Sequence, residues 1–118
     1  MQTLNTIQKR NNLNTPLVLG EAHPVNKGYH TYRILCGNET TVDLQFQNGP
    51  RLEPDSTPGI LDGDLLEIVR HRLQCFQSGP YATRENAIAL THIEEALLWM
   101  NKRVEDRAAA NTLGTAKI

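Results

Sequence analysis

The chain has 118 residues, a hydrophobic fraction of 39%, only 5% aromatic residues and a formal net charge of −1. This length fits one small domain, and the near-neutral charge argues against the basic surface of a protein that binds long nucleic acid. The N-terminal residues contain no apolar segment of the signal-peptide kind, and no apolar run is long enough to cross a bilayer, so we expect no membrane partner. Cys36 and Cys75 lie far apart and form no CxxC motif, which favours reduced thiols in a cytosolic protein.

The N-terminal half predicts a small antiparallel sheet. Residues 1–16 are polar and are predicted to form an arm that is either poorly ordered or paired with a neighbour. Residues 17–59 are predicted to form a small β domain, because turn residues bracket short apolar runs there. The runs at 29–35 and 41–46 are predicted strands, and Gly37-Asn38-Glu39 between them predicts a hairpin. Such a sheet is marginal unless a helix covers one face. A third short strand is expected near Leu52.

Residues 60–118 predict a helical hairpin. Asp62 is a suitable N-cap for the first helix. One amphipathic stripe is predicted to form its packing face, and it comprises Leu61, Leu65, Ile68, Val69, Arg72, Leu73 and Phe76. Ser78-Gly79-Pro80 ends this helix, since proline lacks an amide donor. The predicted fold class is therefore α+β, with a small N-terminal antiparallel β-sheet followed by a C-terminal antiparallel helical hairpin.

The second helix is predicted to begin after Thr83, as its N-cap, and to end near Ala110, with Asn111 as a left-handed C-cap. A packing seam of apolar residues runs along it at alternating spacings of three and four, and it comprises Leu90, Ile93, Leu97, Met100 and Val104. This helix outreaches the first one and would lack a partner near its C-terminus. A single copy also leaves apolar surface exposed, so we expect an oligomer.

Polar residues prolong the seam at both ends. Asn86 precedes it and Arg107 follows it, with Arg103 one turn before Arg107. Asn86 and Arg103 are 17 positions apart, which is about 25 Å of helix. One small ligand could therefore touch both only if an antiparallel neighbouring subunit brought its Arg103 end to this Asn86 end. The alternative is that Asn86 helps the cap and the arginines are solvated at the helix C-terminus, where the helix dipole favours them.

The residues around the turn suit a small nucleotide. Phe76 and Tyr81 flank the turn and could stack on a base, and Asn86 could read a base edge or a ribose hydroxyl. Three arginines could bind phosphates through their forked guanidinium groups, and these are Arg84, Arg103 and Arg107. In the alternative interpretation Phe76 is the last core residue of the first helix and Tyr81 is only a turn residue.

No residue pattern predicts catalysis or a metal site. His71 and Cys75 share a helix face, but no further ligands at matching spacing complete a zinc site, and no orienting residue completes a nucleophile pair. Glu94 and Glu95 are adjacent and point about 100° apart, so they form no carboxylate dyad. We therefore expect a binding protein, not an enzyme, with no cofactor.

Two segments resemble a known family. The run FQNGP at 46–50, and the stretch from ILDGDLLEIVRHRLQCFQSGP to NKRVEDR at 60–107, are similar to the phage anti-Thoeris sponge family. That family shares its C-terminal helical hairpin with the anti-CBASS cyclic-nucleotide sponges. The resemblance covers roughly residues 28–115, and FQNGP with its preceding strands favours the anti-Thoeris branch.

The resemblance implies sequestration of an immune signal in the host bacterial cytoplasm, without catalysis. The implied ligand is glycocyclic ADP-ribose, and some members also hold cyclic dinucleotides or trinucleotides in a separate pocket. Phe76 and Asn86 match the family's ring-stacking and polar contacts, and Arg103 and Arg107 match its phosphate-binding arginines from the adjoining subunit. The implied partners are this small nucleotide and further copies of the chain, as dimers that assemble into hexamers.

The tail departs from the family pattern. Members commonly end in an Arg-Gly-Val-Glu-Gly-Thr-His run, whereas residues 110–116 here retain only its Gly114 and Thr115. These two residues are the candidate second nucleotide site. The alternatives to the leading function are a sponge for cyclic oligonucleotides only, a hairpin that oligomerises without a ligand, and a hydrolase that uses His71 or His92.

Overall fold

The computed structural model describes residues 1–116 and divides them into a sheet and a pair of helices. Four antiparallel strands form the sheet in chain order, and these are β1 (Gln2–Thr3), β2 (Thr15–Leu19), β3 (Thr31–Gly37) and β4 (Thr40–Gln45). Two helices follow, α1 (Asp62–Gln77) and α2 (Arg84–Ala109). The predicted α+β fold class, a small sheet followed by a helical hairpin, is confirmed.

The hairpin between β3 and β4 follows from its turn residues. Asn38 and Glu39, the two residues that connect the strands, have φ values of 50° and 61°. Positive φ at both positions matches the right-handed twist of the flanking strands. The resulting register pairs Tyr32 with Leu44 and Ile34 with Val42. The predicted hairpin is therefore confirmed, with both strands within a few residues of their expected positions.

The N-terminal half differs from the prediction at the third strand, and it adds two short strand segments to the arm. Residues 1–16 contain β1 and the first two residues of β2, and Gln2 pairs with Val18 of the same chain. Leu52 lies in a turn and starts no strand, because its amide donates to the carbonyl oxygen of Gly114 at 2.8 Å. The Leu52 amide thus donates to the C-terminal tail and not to a neighbouring strand.

The segment that leads into α1 crosses the end of β4 at close range. Ile60 pairs with Phe46 in a parallel bridge, and Thr57 pairs with Asn48 in an antiparallel one. Gly59 lies between these bridges, and a Cβ atom at this position would stand 2.5 Å from the carbonyl oxygen of Gln45. This crossing fixes where α1 begins relative to the sheet.

Both helix starts have a clear physical cause, but one differs from the prediction. The N-cap of α1 is Leu61, whose amide donates to the Asp64 carboxylate at 2.8 Å, so Asp62 is already helical. Asp64, and not Asp62, therefore supplies the acidic side chain of the cap. At the start of α2 the prediction is confirmed, because Thr83 Oγ1 accepts the amide of Asn86 at 3.0 Å.

The end of α2 is a Schellman motif. Asn111 adopts the left-handed conformation, with a φ of 57°. Its amide donates to the carbonyl of Ala108, and the amide of Thr112 donates to the carbonyl of Arg107. These are the two hydrogen bonds that define the motif. The left-handed C-cap predicted at Asn111 is therefore confirmed.

The two helices pack along the predicted seam of α2. Its half-buried residues are Asn86, Leu90, Ile93, Glu94, Leu97, Met100 and Arg107, and all except Glu94 follow the heptad pattern. Val104, on the same line, is 41% exposed because α1, with 16 residues, is shorter than α2, with 26. The expected overhang of α2 beyond its partner is thus present.

The stripe predicted as the packing face of α1 is wrong in most of its members. The predicted stripe is half-buried only at Leu65 and Leu73, while its Ile68 is 59% exposed. The half-buried residues of α1 are Gly63, Leu65, Leu66, Arg70, Leu73 and Gln77. Apolar side chains spread over about half of the circumference of α1, so periodicity alone does not select the face. The hairpin therefore retains an outer apolar surface after α1 and α2 have paired.

Neither helix covers the sheet. No strand lies against α1 or α2 among residues 1–116, and the only buried apolar side chains described are Leu17 and Val18 of β2. One sheet face, with Tyr32, Leu44 and Phe46, instead borders an open groove of about 650 Å³ that ends at Leu61 and Asp62. The described helices also include none with enough apolar length to cross a membrane.

Candidate functional site

The turn between the helices is held by a side chain that the sequence did not single out. Gln77 donates from Nε2 to the carbonyl oxygen of Thr83 and accepts the Thr83 amide at Oε1, both at 2.9 Å. Ser78 Oγ donates to the carbonyl oxygen of Cys75 at 2.6 Å. The primary amide of Gln77 thus pairs with the backbone of the N-cap residue, which fixes the end of α1 against the start of α2.

The turn presents two aromatic rings to solvent. Phe76 is 40% exposed and Tyr81 is 73% exposed. The guanidinium carbon of Arg72 lies 5.4 Å from the centroid of the Phe76 ring, within the range of a cation–π contact. Phe76 is therefore not a buried core residue of the single chain, which argues against the interpretation of Phe76 as the last core residue of α1.

Arg84 and Asn86 lie at the same end of the hairpin. Arg84 is exposed, and within residues 1–116 its guanidinium has no hydrogen bond or ion pair. The Asn86 side chain is half-buried on the seam and also has no partner there, since only its backbone amide takes part in the cap. We name Phe76, Tyr81, Arg84 and Asn86 the turn cluster. These four predicted residues lie at the turn end of the hairpin, with Arg84 exposed and Asn86 on the seam.

The other two predicted ligand-binding residues lie at the opposite end of α2. The helix is continuous from Arg84 to Ala109, so Asn86 and Arg103 are separated by about 25 Å along its axis. Arg103 has no hydrogen bond or ion pair within the described residues. Arg107 donates from Nη2 to the carbonyl oxygens of Thr112 and Thr115, at 2.7 and 2.9 Å. One chain does not join these arginines to the turn cluster.

Arg103 borders a groove of the hairpin that has a volume of about 1000 Å³. The start of α1 and the C-terminal half of α2 line this groove, and its apolar residues include Leu97, Met100 and Val104. Four carboxylates and two arginines also line it, and these are Asp62, Asp64, Glu67, Glu94, Arg70 and Arg103. The excess of carboxylates disfavours a phosphate inside the groove of a single chain.

An ion pair crosses the packing seam near this groove. Arg70 Nε donates to Glu94 Oε2 at 2.8 Å, and a second carboxylate, Glu67, lies 3.5 Å from Nη1. The hydrogen bond to Glu94 raises the pKa of the Arg70 guanidinium above its ordinary value. The sequence pattern did not predict this ion pair, because Glu94 was considered only as half of a carboxylate dyad. Arg70 is half-buried on α1, where it faces Glu94 of α2.

The remaining candidates, in the tail and on the outer side of α1, contact other groups of the same chain. Gly114 has a φ of 77°, its carbonyl accepts the Leu52 amide, and Thr115 Oγ1 donates to the carbonyl oxygen of Thr112 at 2.6 Å. His71 Nε2 and Cys75 Sγ lie 3.7 Å apart on the outer surface of α1. Within residues 1–116 there is no group of three or more side chains that could hold a metal ion.

Comparison with known proteins agrees with this architecture. The family model for the Acb2/Tad1 hairpin domain matches residues 38–105, more than half of the chain. The protein "Thoeris anti-defense 1" of Bacillus phage SBSphiJ7 is 41% identical over 85 residues, which are 72% of this chain and 58% of that relative. The matched region thus covers little more than half of the relative's length. The resemblance inferred from the sequence is confirmed, and the chain belongs to the Acb2/Tad1 hairpin-domain family.

Proposed function

We propose that this protein is a phage anti-defence sponge that binds glycocyclic ADP-ribose and withholds it from its effector in the host bacterial cytoplasm. Family membership and the name of the phage relative support the anti-defence role. The ligand is a small dianionic nucleotide, so its binding needs ring contacts and cationic donors but no basic protein surface. In this proposal the ligand leaves unchanged, and neither a metal nor a cofactor takes part.

The observation that carries this proposal is that the turn cluster and Arg103 lie at opposite ends of α2. The turn cluster offers exposed rings and the Asn86 amide, whereas Arg103 offers an unengaged guanidinium about 25 Å away. An antiparallel second copy would place its Arg103 beside this turn cluster and complete two equivalent sites. Phe76 and Tyr81 then stack on the ring systems and Asn86 orients the ligand. Arg84 and Arg103 bind the pyrophosphate, and Arg107 adds positive charge near them.

The outer surface of the hairpin supports assembly. Among the exposed apolar residues of the helices are Ile68, Leu98 and Trp99, at 59%, 71% and 66% exposure. Burying such side chains between copies stabilises an oligomer by about 25 cal/mol for each Å² removed from water. The proposed assembly is a dimer that associates further into a hexamer, and the site exists only in the assembled state.

Isothermal titration of the purified protein with glycocyclic ADP-ribose tests this function. We expect binding near one ligand per chain, and chromatography after heat denaturation should recover the ligand intact. Asn86→Ala should abolish binding, while the control Glu95→Ala, at an exposed position of the same helix away from both described grooves, should retain it. Cyclic dinucleotides and trinucleotides serve as comparison ligands. Absence of binding, or recovery of a cleaved ligand, would overturn the proposal, and cleavage would direct attention to His71 and His92.

A further inference from the structure

The two arginines at the C-terminal end of α2 have different surroundings. Arg103 has no partner within residues 1–116 and borders an open groove. Arg107, one turn later, is half-buried, and its Nη2 atom donates to two carbonyl oxygens of the tail. A guanidinium that binds an incoming phosphate in the forked geometry needs two free N–H groups on one side. Arg103 meets this condition, whereas Arg107 is already engaged by its own chain.

The tail that Arg107 holds is folded and not extended. Thr112 lies at its centre, because its carbonyl oxygen accepts Arg107 Nη2, the Thr115 amide at 3.1 Å and Thr115 Oγ1 at 2.6 Å. The amide of Thr112 donates in turn to the carbonyl oxygen of Arg107 at 2.8 Å. Arg107 therefore closes a compact ring of hydrogen bonds with Thr112 and Thr115. Loss of its side chain would leave carbonyl groups of this ring with fewer donors.

This folded tail connects the hairpin to the β region. The carbonyl oxygen of Gly114 accepts the amide of Leu52 at 2.8 Å, so the tail is tied to the turn that precedes the crossing at Gly59. A Cβ atom on Gly114 would lie 2.8 Å from Leu52 Cγ, and the φ of 77° is unfavourable for any other residue. Because no strand lies against a helix, this tie restrains the end of α2 relative to the sheet.

We propose that Arg107 is a positioning residue that acts on the bound nucleotide through the tail, while Arg103 makes the phosphate contact at this end of α2. The inference rests on the proposed function and deepens it, since it assigns different roles to two arginines of one site. Arg107 holds the tail against the Leu52 turn, and this fixes the direction in which Arg103 projects from the last turns of the helix.

A double-mutant cycle tests this assignment, because it compares removal of Arg107 with removal of the tail contact that Arg107 supports. Gly114→Ala disrupts tail docking without altering the guanidinium. If Arg107 acts through the tail, Gly114→Ala weakens binding of glycocyclic ADP-ribose about as much as Arg107→Ala does, and the double variant weakens it no further. If Gly114→Ala leaves affinity unchanged while Arg107→Ala reduces it at least tenfold, Arg107 contacts the ligand directly and the inference is overturned.

Hydrogen exchange without ligand gives an independent readout. The Leu52 amide should exchange at least tenfold faster in Arg107→Ala and in Gly114→Ala than in the wild-type protein, and at the wild-type rate in Arg103→Ala. Arg107→Lys should restore part of the protection, since its ammonium can donate to the same two carbonyls. Unchanged exchange in Arg107→Ala would overturn the tail tie by itself. Failure of the wild-type protein to bind the nucleotide would instead overturn the proposed function.

Discussion

Replacement of Gly59 by alanine tests the crossing that joins the sheet to the helical hairpin. The added Cβ would lie 2.5 Å from both the carbonyl oxygen of Gln45 and the carbonyl carbon of Phe46, and 2.7 Å from the amide nitrogen of Gln47. All three are backbone atoms, so no side-chain rotation can relieve the contact. The two segments must separate, and we expect the mutant to lose part of their pairing.

The cost can be worked from the hydrogen bonds of the crossing. Four backbone hydrogen bonds join the segments, which are Gln47 N–Ile60 O at 2.8 Å, Asn48 N–Thr57 O at 2.9 Å, Thr57 N–Asn48 O at 2.7 Å and Ile60 N–Gln45 O at 2.9 Å. A typical intramolecular hydrogen bond contributes about 1 kcal/mol net, so loss of most of them lowers the free energy of unfolding by about 2–4 kcal/mol.

Urea denaturation, followed by circular dichroism at one fixed protein concentration, measures this loss. Fixed concentration matters because subunit association raises apparent stability. Gly79→Ala is the matched control, since a Cβ at Gly79 meets no atom within 4 Å. A Gly59→Ala protein within about 0.5 kcal/mol of the wild type, the range of ordinary surface substitutions, would refute the close crossing.

Three further predictions concern the sheet, the turn and the site. The hydrogen bond from Arg33, at 2.6 Å, lowers the pKa of Asp43, so this carboxylate stabilises the fold above the unfolded-state pKa, near 3.9, and the stabilisation is lost as pH falls through the depressed value. The gap in urea midpoint between the wild type and Asp43→Asn should therefore be constant above about pH 5 and close in acid. Gln77→Ala should lower the free energy of unfolding by about 1 kcal/mol, because two exposed hydrogen bonds at the turn are lost. Phe76→Ala should weaken nucleotide binding by about 1–3 kcal/mol, the contribution of one stacked base, in a calorimetric titration.

Each of these has a control and a contradicting outcome. A midpoint gap that widens in acid would mean that Asp43 is not paired as a carboxylate. Gln74→Ala, at an exposed glutamine on the same helix, should be neutral. Equal effects at Gln74 and Gln77 would argue against a stabilising role for the hydrogen bonds between Gln77 and Thr83. Phe76→Tyr should retain binding, and full affinity in Phe76→Ala would exclude stacking on this ring.

Local signals predicted much of this fold. The seam of α2 repeats along most of its length, so its packing face was identified correctly. Thr83 and Asn111 have side chains and backbone preferences that are specific for helix ends. Gly37-Asn38-Glu39 gives a hairpin for the same reason. In each case the feature is determined by residues that are close together in the sequence.

Other features depend on contacts between distant segments, which periodicity does not encode. Apolar residues spread over about half of the circumference of α1, so the burial of Leu66 in place of Ile68 is decided by the partner helix. No distinctive sequence pattern predicts the hydrogen bonds between Gln77 and Thr83 or the one between Leu52 and Gly114. The candidate site residues were chosen from their chemistry and from the family resemblance, and within one chain they lie at two ends of α2 about 25 Å apart.

The central claim is that one nucleotide bridges two chains, and mixing two inactive variants tests it most directly. Asn86→Ala and Arg103→Ala each remove one end of the proposed site, so neither variant alone should bind glycocyclic ADP-ribose. If equal amounts are unfolded and refolded together, random pairing places both changes in one site of each mixed dimer and leaves the other site intact. Calorimetric titration should then recover about one quarter of the wild-type binding capacity, as expected for site completion between subunits. No recovery from well-folded mixed oligomers would contradict the shared site and place the ligand within one chain.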